Sequence, residues 1–237
     1  MRKISADYIF PVSSAPVKNG LVIVDDDGRI MEVISSSQDH KGDEVEHYSG
    51  IIVPGFINAH CHLELSYLKN KISKGAGLDG FLQELEENRK KFSESEISEA
   101  ALSAEREMIR NGIVAVGDIS NSSDTFSLKE NGDLLYHTFI ELFGIHLSKA
   151  GKVYASGCKL ADDLRSRGLS YSITPHAPYS LSAELLDLIT SPLPGSKRLL
   201  SIHLAENPDE KEKLSKDTYY LAHLIRQQKT IDFLNAL

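Results

Sequence analysis

From Ile51 onward the chain alternates short apolar runs with amphipathic helical stretches, and that alternation confines it to parallel β/α architectures. The runs cover residues 51–60, 113–119, 134–143, 169–174 and 199–204. Between them, Ser93 with Glu96 three residues on has the form of a capping box. Behind it, Ile97, Ala101, Ala104 and Met108 fall on one helical face, and Gly112 is placed to stop that helix. Phe81, Leu82 and Leu85 mark an earlier amphipathic helix with a charged outer face. Further helices are expected at 149–166 and at 182–190, the second capped by Ser182. The stretch 209–237 is helical in pattern. The expectation is five β/α units without repeated sequence.

Residues 1–54 have a different grammar, that of short β-strands at 8–10, 20–24 and 29–34. Asp25-Asp26-Asp27-Gly28 separates two of these runs, and an Asp-Gly step there predicts a hairpin turn. No calcium-ligand pattern continues past Gly28, so the acidic triplet reads as a solvated turn. Residues 35–50 are polar and read as a surface connection.

Composition narrows the class of partner. The formal charge is −8, from 34 acidic and 26 basic residues, and no basic cluster tracks a phosphate backbone, which argues against nucleic acid. No apolar run approaches the ~20 residues of a membrane-spanning helix, and the first residues lack the apolar core of a secretory signal. A cytoplasmic location, with no membrane partner, is the expectation. Cys61 and Cys158 are too few for a disulfide framework and read as reduced thiols.

The stretch VPGFINAHCHLELS carries the first chemical signal. Side chains alternate faces along a strand, so His60 and His62 point one way and Cys61 the other, toward the helices. Two imidazoles on one face at a strand's end can share a metal ion. Reactive groups in parallel β/α barrels come from the C-terminal ends of strands. The fourth run here ends in Pro175-His176-Ala177-Pro178-Tyr179 and the fifth in His203-Leu204-Ala205-Glu206.

The strings GFINAHCHLE, TPHAPYSLS and IHLAEN resemble those of the amidohydrolase superfamily, in the branch of cytosine, guanine, S-adenosylhomocysteine and aminodeoxyfutalosine deaminases and of chlorohydrolases. The resemblance implies a (β/α)8 TIM-type barrel over residues 55–237, preceded by a small β-sandwich-like domain at 1–54. It implies His60, His62 and His203 as metal ligands, His176 as a substrate-binding group and Glu206 as the catalytic proton shuttle. Imidazole-held divalent metal lowers the pKa of bound water toward neutrality, and a nearby carboxylate can carry the proton to a leaving nitrogen. Thr174-Pro175-His176 stands where two-metal relatives carry a modified lysine, which implies one divalent ion, zinc first and iron(II) second. The activity implied is hydrolysis of a C–N bond, deaminating a purine-like or nucleoside-like heterocycle. Dechlorination and cyclic-amide hydrolysis on the same fold are the alternatives. Glu64, in HCHLELS, is similar to the aminodeoxyfutalosine deaminase type. Glu64, Glu141 and Asp118 stand near strand ends but are left outside the predicted site, as is Cys61.

The chain departs from the resemblance at its far end. Relatives continue to a sixth strand with another histidine and an eighth with an aspartate, whereas residues 55–237 fall short of the ~250 of a complete barrel. His223 lies in a helical pattern and does not replace either. The barrel is therefore expected to be incomplete, with about five β/α units. The expected partners are a small-molecule substrate and either a second copy or a complementing C-terminal segment. An inactive partial barrel acting through association is the rival reading.

Overall fold

The computed structural model describes residues 1–35, 44–89, 91–191, 199–204 and 206. The chain divides into two compact units, with the boundary after Phe56.

In the first unit, β1 (Arg2–Ile9) is the central strand. One edge pairs antiparallel with β3 (Leu21–Val24) through Arg2–Ser5 and with the two-residue β2 (Val17–Lys18) through Tyr8 and Ile9. β4 (Ile30–Ile34) extends the sheet beyond β3, after the predicted turn, where Gly28 has φ +83° and its N–H donates to the Asp25 carbonyl at 3.1 Å. Positive φ costs glycine little, which suits it to close this turn. Ala6, Ile9, Leu21 and Val22 are buried.

β5 (Glu46–Ile52) corrects the reading of 35–50 as a connection, since it runs parallel to β1. Most of its side chains are exposed, so the backbone ladder holds it, together with the Arg2 guanidinium on Glu46 at 2.7 and 2.8 Å. A strand held in this way shows no apolar alternation.

The second unit carries the β/α pattern. Its four-stranded sheet runs β6 (Phe56–Cys61), β7 (Ile113–Ser120), β8 (Leu135–Leu142) and β9 (Ser170–Pro175), in chain order. β8 is parallel to both β7 and β9. α1 (Gly77–Asn88) and α2 (Glu94–Arg110) connect β6 to β7, α3 (Phe126–Asn131) leads to β8, and α4 (Ala150–Ser166) leads to β9. α5 (Ala183–Thr190) follows, with the Ser182 hydroxyl capping it by accepting from Leu185 N–H. The Ser93–Glu96 box is formed in both directions. Phe81 and Leu82 of α1, expected on an inward face, are exposed among the described residues.

Two apolar clusters hold the sheet to its helices. Ile140, Leu142 and Ile173 pack against Ala161 and Leu164 of α4 and Leu185 and Ile189 of α5. Leu63, Val116, Leu134 and Tyr136 pack against Ala101 of α2, with Cys61, Ala104 and Met108 at the margin. Cys61 faces the helices as expected.

Residues 199–204 form no regular strand, a second correction. They lie beside β9 through the Thr174 hydroxyl, which accepts from Ser201 N–H at 2.8 Å and donates to the Ser201 carbonyl, and through His203 N–H to the His176 carbonyl at 2.7 Å. Pro175 has no N–H to offer a ladder, so a side chain takes over the pairing. The helical pattern at 209–237, with His223, lies outside the described residues.

Candidate active site

The C-terminal end of β6 brings His60 and His62 to one side, with ring centroids 5.2 Å apart. Gly117 of β7 makes this possible: a Cβ there would stand 2.6 Å from the Ala59 carbonyl oxygen, so only glycine admits the β6 backbone just before His60. His203 sits against both, its ring 4.7 Å from that of His60 and 5.3 Å from that of His62. One ring nitrogen from each of the three lies within 4.8 Å of the others.

Burial, with the field of neighbouring His203, lowers the His60 pKa. Burial is also the main cause of the lowering at His62. Both shifts favour the neutral imidazole, the form with a lone pair to offer. Nδ1 of His62 is buried and has no hydrogen-bond partner among the described residues. Three imidazoles whose ligand nitrogens converge suit a divalent cation, so the donor set fits the metal that the motifs imply.

His176 follows β9, its ring 5.0 Å from that of His203. Its Nδ1 lies 2.8 Å from Ser180 Oγ, and the Ser180 hydroxyl donates to the Ala177 carbonyl at 2.9 Å. With that proton committed, Ser180 accepts from Nδ1–H of His176, which leaves Nε2 of His176 as the lone-pair nitrogen. Glu206 Oε1 lies 3.0 Å from Nδ1 of His203, and Glu206 Oε2 accepts from the Tyr179 hydroxyl at 3.2 Å. All five predicted site residues therefore come together.

The structure adds residues that were set aside or missed. Glu141, at the end of β8, is 5% exposed and places Oε1 3.1 Å from Nε2 of His203. Burial pushes its pKa up, but the hydrogen bond from His203 and the fields of the surrounding histidines hold it below the usual carboxylate value. The Asn121 amide donates to Oε2 of Glu141 at 3.3 Å and to its carbonyl at 2.9 Å.

Asn121 is anchored in turn by Glu64, whose buried carboxylate accepts from the N–H groups of Asn121 and Ser122 and from the Ser122 hydroxyl, at 2.7–3.1 Å. Asp118 accepts from Leu63 N–H at 2.8 Å and from the Cys61 thiol at 3.3 Å, gripping the residues on either side of His62. A signal for these groups exists in the sequence. Glu141 within TFIELF and Asp118 within IVAVGDIS are carboxylates inside apolar strands, a placement that requires a partner.

A cleft of about 540 Å³ opens beside Glu141, with Glu64, Arg89, Asn121, Leu142 and Phe143 in its walls.

Residues 51–222 match the model of the amidohydrolase family. The chain is 28% identical over 165 residues to adenosine deaminase of Helicobacter pylori, an alignment covering 69% of this chain and 40% of that protein. Among solved structures it is similar to H. pylori aminofutalosine deaminase in complex with methylthio-coformycin, with TM-score 0.70 and 23% identity over 90% of this chain and 53% of that one. It is also similar to an adenosine deaminase from Xanthomonas campestris with bound zinc, with TM-score 0.70 and 18% identity over 94% of this chain and 54% of that one. The structural likeness establishes the fold, an incomplete barrel of the (β/α)8 type. The chain spans about half the length of the proteins it matches.

Proposed function

Because the chain belongs to the amidohydrolase family, we propose that it serves hydrolytic deamination of an amino-substituted purine-like or nucleoside-like compound. The observation that carries this reading is the convergence of one ring nitrogen each from His60, His62 and His203 to within 4.8 Å of one another. The likeness to adenosine deaminase supports the choice of reaction.

On this reading His60, His62 and His203 hold one divalent cation, zinc before iron(II). Such a cation, when bound, supplies Lewis acidity that makes water a competent nucleophile near neutral pH. In the reaction, water adds to the ring carbon that bears the amino group, the C–N bond breaks, ammonia leaves and a carbonyl forms. Glu206 accepts the water's proton and delivers it to the departing nitrogen, and the Tyr179 hydroxyl at 3.2 Å orients its carboxylate. His176, fixed by Ser180, presents Nε2 to the substrate. The cleft beside Glu141 gives the substrate room beyond its reacting ring. The chemistry then belongs to residues 55–237, with residues 1–54 as an accessory β-sandwich-like domain.

Ammonia release from a panel of aminopurines and adenosine analogues, set against chloride release from chlorotriazines, tests the reading. Ammonia release abolished by His203→Ala is the expected result. Chloride release alone, or turnover unaffected by His203→Ala, contradicts it.

A further inference from the structure

We propose that the cleft beside Glu141 is the subsite for the substrate's side group, and that it admits an uncharged, partly apolar group while rejecting a phosphorylated one. The inference rests on the functional reading above and deepens it, since it sets which purine-like or nucleoside-like compounds the site takes.

Position is the first support. Glu141 and Phe143 flank Leu142 at the end of β8, and all three line the cleft. The Glu141 carboxylate also stands 3.1 Å from the His203 imidazole, and the Phe143 ring lies 5.9 Å from that of His176. The same two residues thus border both the histidines and the cleft, so a compound whose ring lies at His176 and His203 sends its side group there. The volume of about 540 Å³ is that of a small-molecule pocket.

Surface is the second. Leu142, Val153 and Leu160 give the cleft an apolar lining, and Phe143 beside them is 51% exposed. An uncharged substituent laid against that ring removes apolar surface from water on both partners.

Charge is the third. The charged lining residues are three carboxylates, Glu64, Asp124 and Glu141, and one cation, Arg89. The Arg89 guanidinium stands 3.9 Å from Oε1 of Glu64, and the N–H groups of Asn121 and Ser122 fix that carboxylate, so the single positive charge is already matched. Asp124 is exposed, and no basic side chain pairs with it among the described residues. A phosphate entering the cleft meets a net negative lining, and like charges in a partly enclosed space repel more strongly than in bulk water.

The test is binding to the zinc-loaded 237-residue chain, measured by titration calorimetry. The probes are inosine, an uncharged 5′-alkylthio analogue of it and inosine 5′-monophosphate, deaminated compounds that bind without turnover. The monophosphate should bind about 10-fold or more weakly than inosine, and the alkylthio analogue at least as tightly as inosine. Rising salt and Asp124→Asn should each narrow the phosphate penalty, and Phe143→Ala should weaken the alkylthio analogue more than inosine. Both substituted side chains are exposed, so neither change empties the core. A monophosphate that binds as tightly as inosine, or a penalty unmoved by salt and by Asp124→Asn, overturns the proposal. Ammonia release from the corresponding amino compounds would then leave the functional reading standing. A zinc-loaded chain that binds none of the three probes and releases no ammonia overturns the functional reading and this inference together.

Discussion

The Lys129 ammonium lies 2.5 Å from Oδ2 of Asp118, and both side chains are fully buried. Lys129 also donates to Ser120 Oγ at 3.0 Å and to Thr138 Oγ1 at 3.1 Å, so all three of its protons are placed. Oδ1 of Asp118 meanwhile holds Leu63 N–H. The pair joins α3, β7 and β8 to the residue that follows His62.

Removing one partner leaves an uncompensated buried charge. Lys129→Met should therefore destabilise the chain by about 3–5 kcal/mol, whereas the double replacement Asp118→Leu with Lys129→Met should recover part of the loss, the Leu63 N–H that Asp118 held being left unpaired. Urea unfolding of the single and double variants measures both. Equal destabilisation in the two would contradict the assignment of the cost to an unpaired charge.

Gly117 is the second point of sensitivity. A methyl group there meets the Ala59 carbonyl at 2.6 Å, a backbone atom that cannot rotate away. Gly117→Ala should cost about 1–3 kcal/mol and shift β6, lowering metal uptake as well as the unfolding midpoint. A variant as stable as the parent, with unchanged uptake, contradicts the close approach.

Cys61 should be chemically quiet. Burial, and after it the adjacent Asp118 carboxylate, pushes its thiol far above the ordinary value. The thiolate is the reactive species, so alkylation by iodoacetamide at pH 8 should be slow in the native chain and fast after denaturation. Fast native alkylation, mapped to Cys61 by mass spectrometry, would contradict its placement.

His137 gives the fold a pH dependence away from the site. Its two ring nitrogens lie 2.8 and 2.9 Å from the hydroxyls of Ser170 and Ser172, and burial lowers its pKa below that of the unfolded chain. The unfolded state then binds the proton more readily, so the stability this group contributes is complete above about pH 6.5 and declines as pH falls through the depressed native value. His137→Gln should flatten the pH dependence of urea unfolding between about pH 7 and pH 5. An unaltered slope would contradict the sign.

The β/α core was legible because its strands and helices bury apolar faces at their own periods. Ser93 with Glu96 and Gly112 marked the limits of α2 almost to the residue. β5 was illegible because backbone bonds and the exposed Arg2–Glu46 pair hold it, with no apolar stripe to reveal it. The fifth run kept its apolar pattern, yet the pairing beside it passes to the Thr174 side chain, which periodicity does not register. At the site, His60 and His62 announced themselves by their spacing along one strand, and His176 and His203 by the strings TPHAPYSLS and IHLAEN that carry the family resemblance. Glu141, Asn121 and Lys129 are brought in by neighbouring strands and helices, and their partners are 9 to 62 residues away, beyond the reach of a local motif.

The central claim is that His60, His62 and His203 form a metal centre in this chain. Elemental analysis of the purified 237-residue protein, dialysed against a weak chelator, tests it directly. About one zinc or iron per chain, lost in His60→Ala while the far-ultraviolet circular dichroism is retained, is the predicted result. A folded chain that holds no divalent metal, or holds it equally well after His60→Ala, would contradict the account.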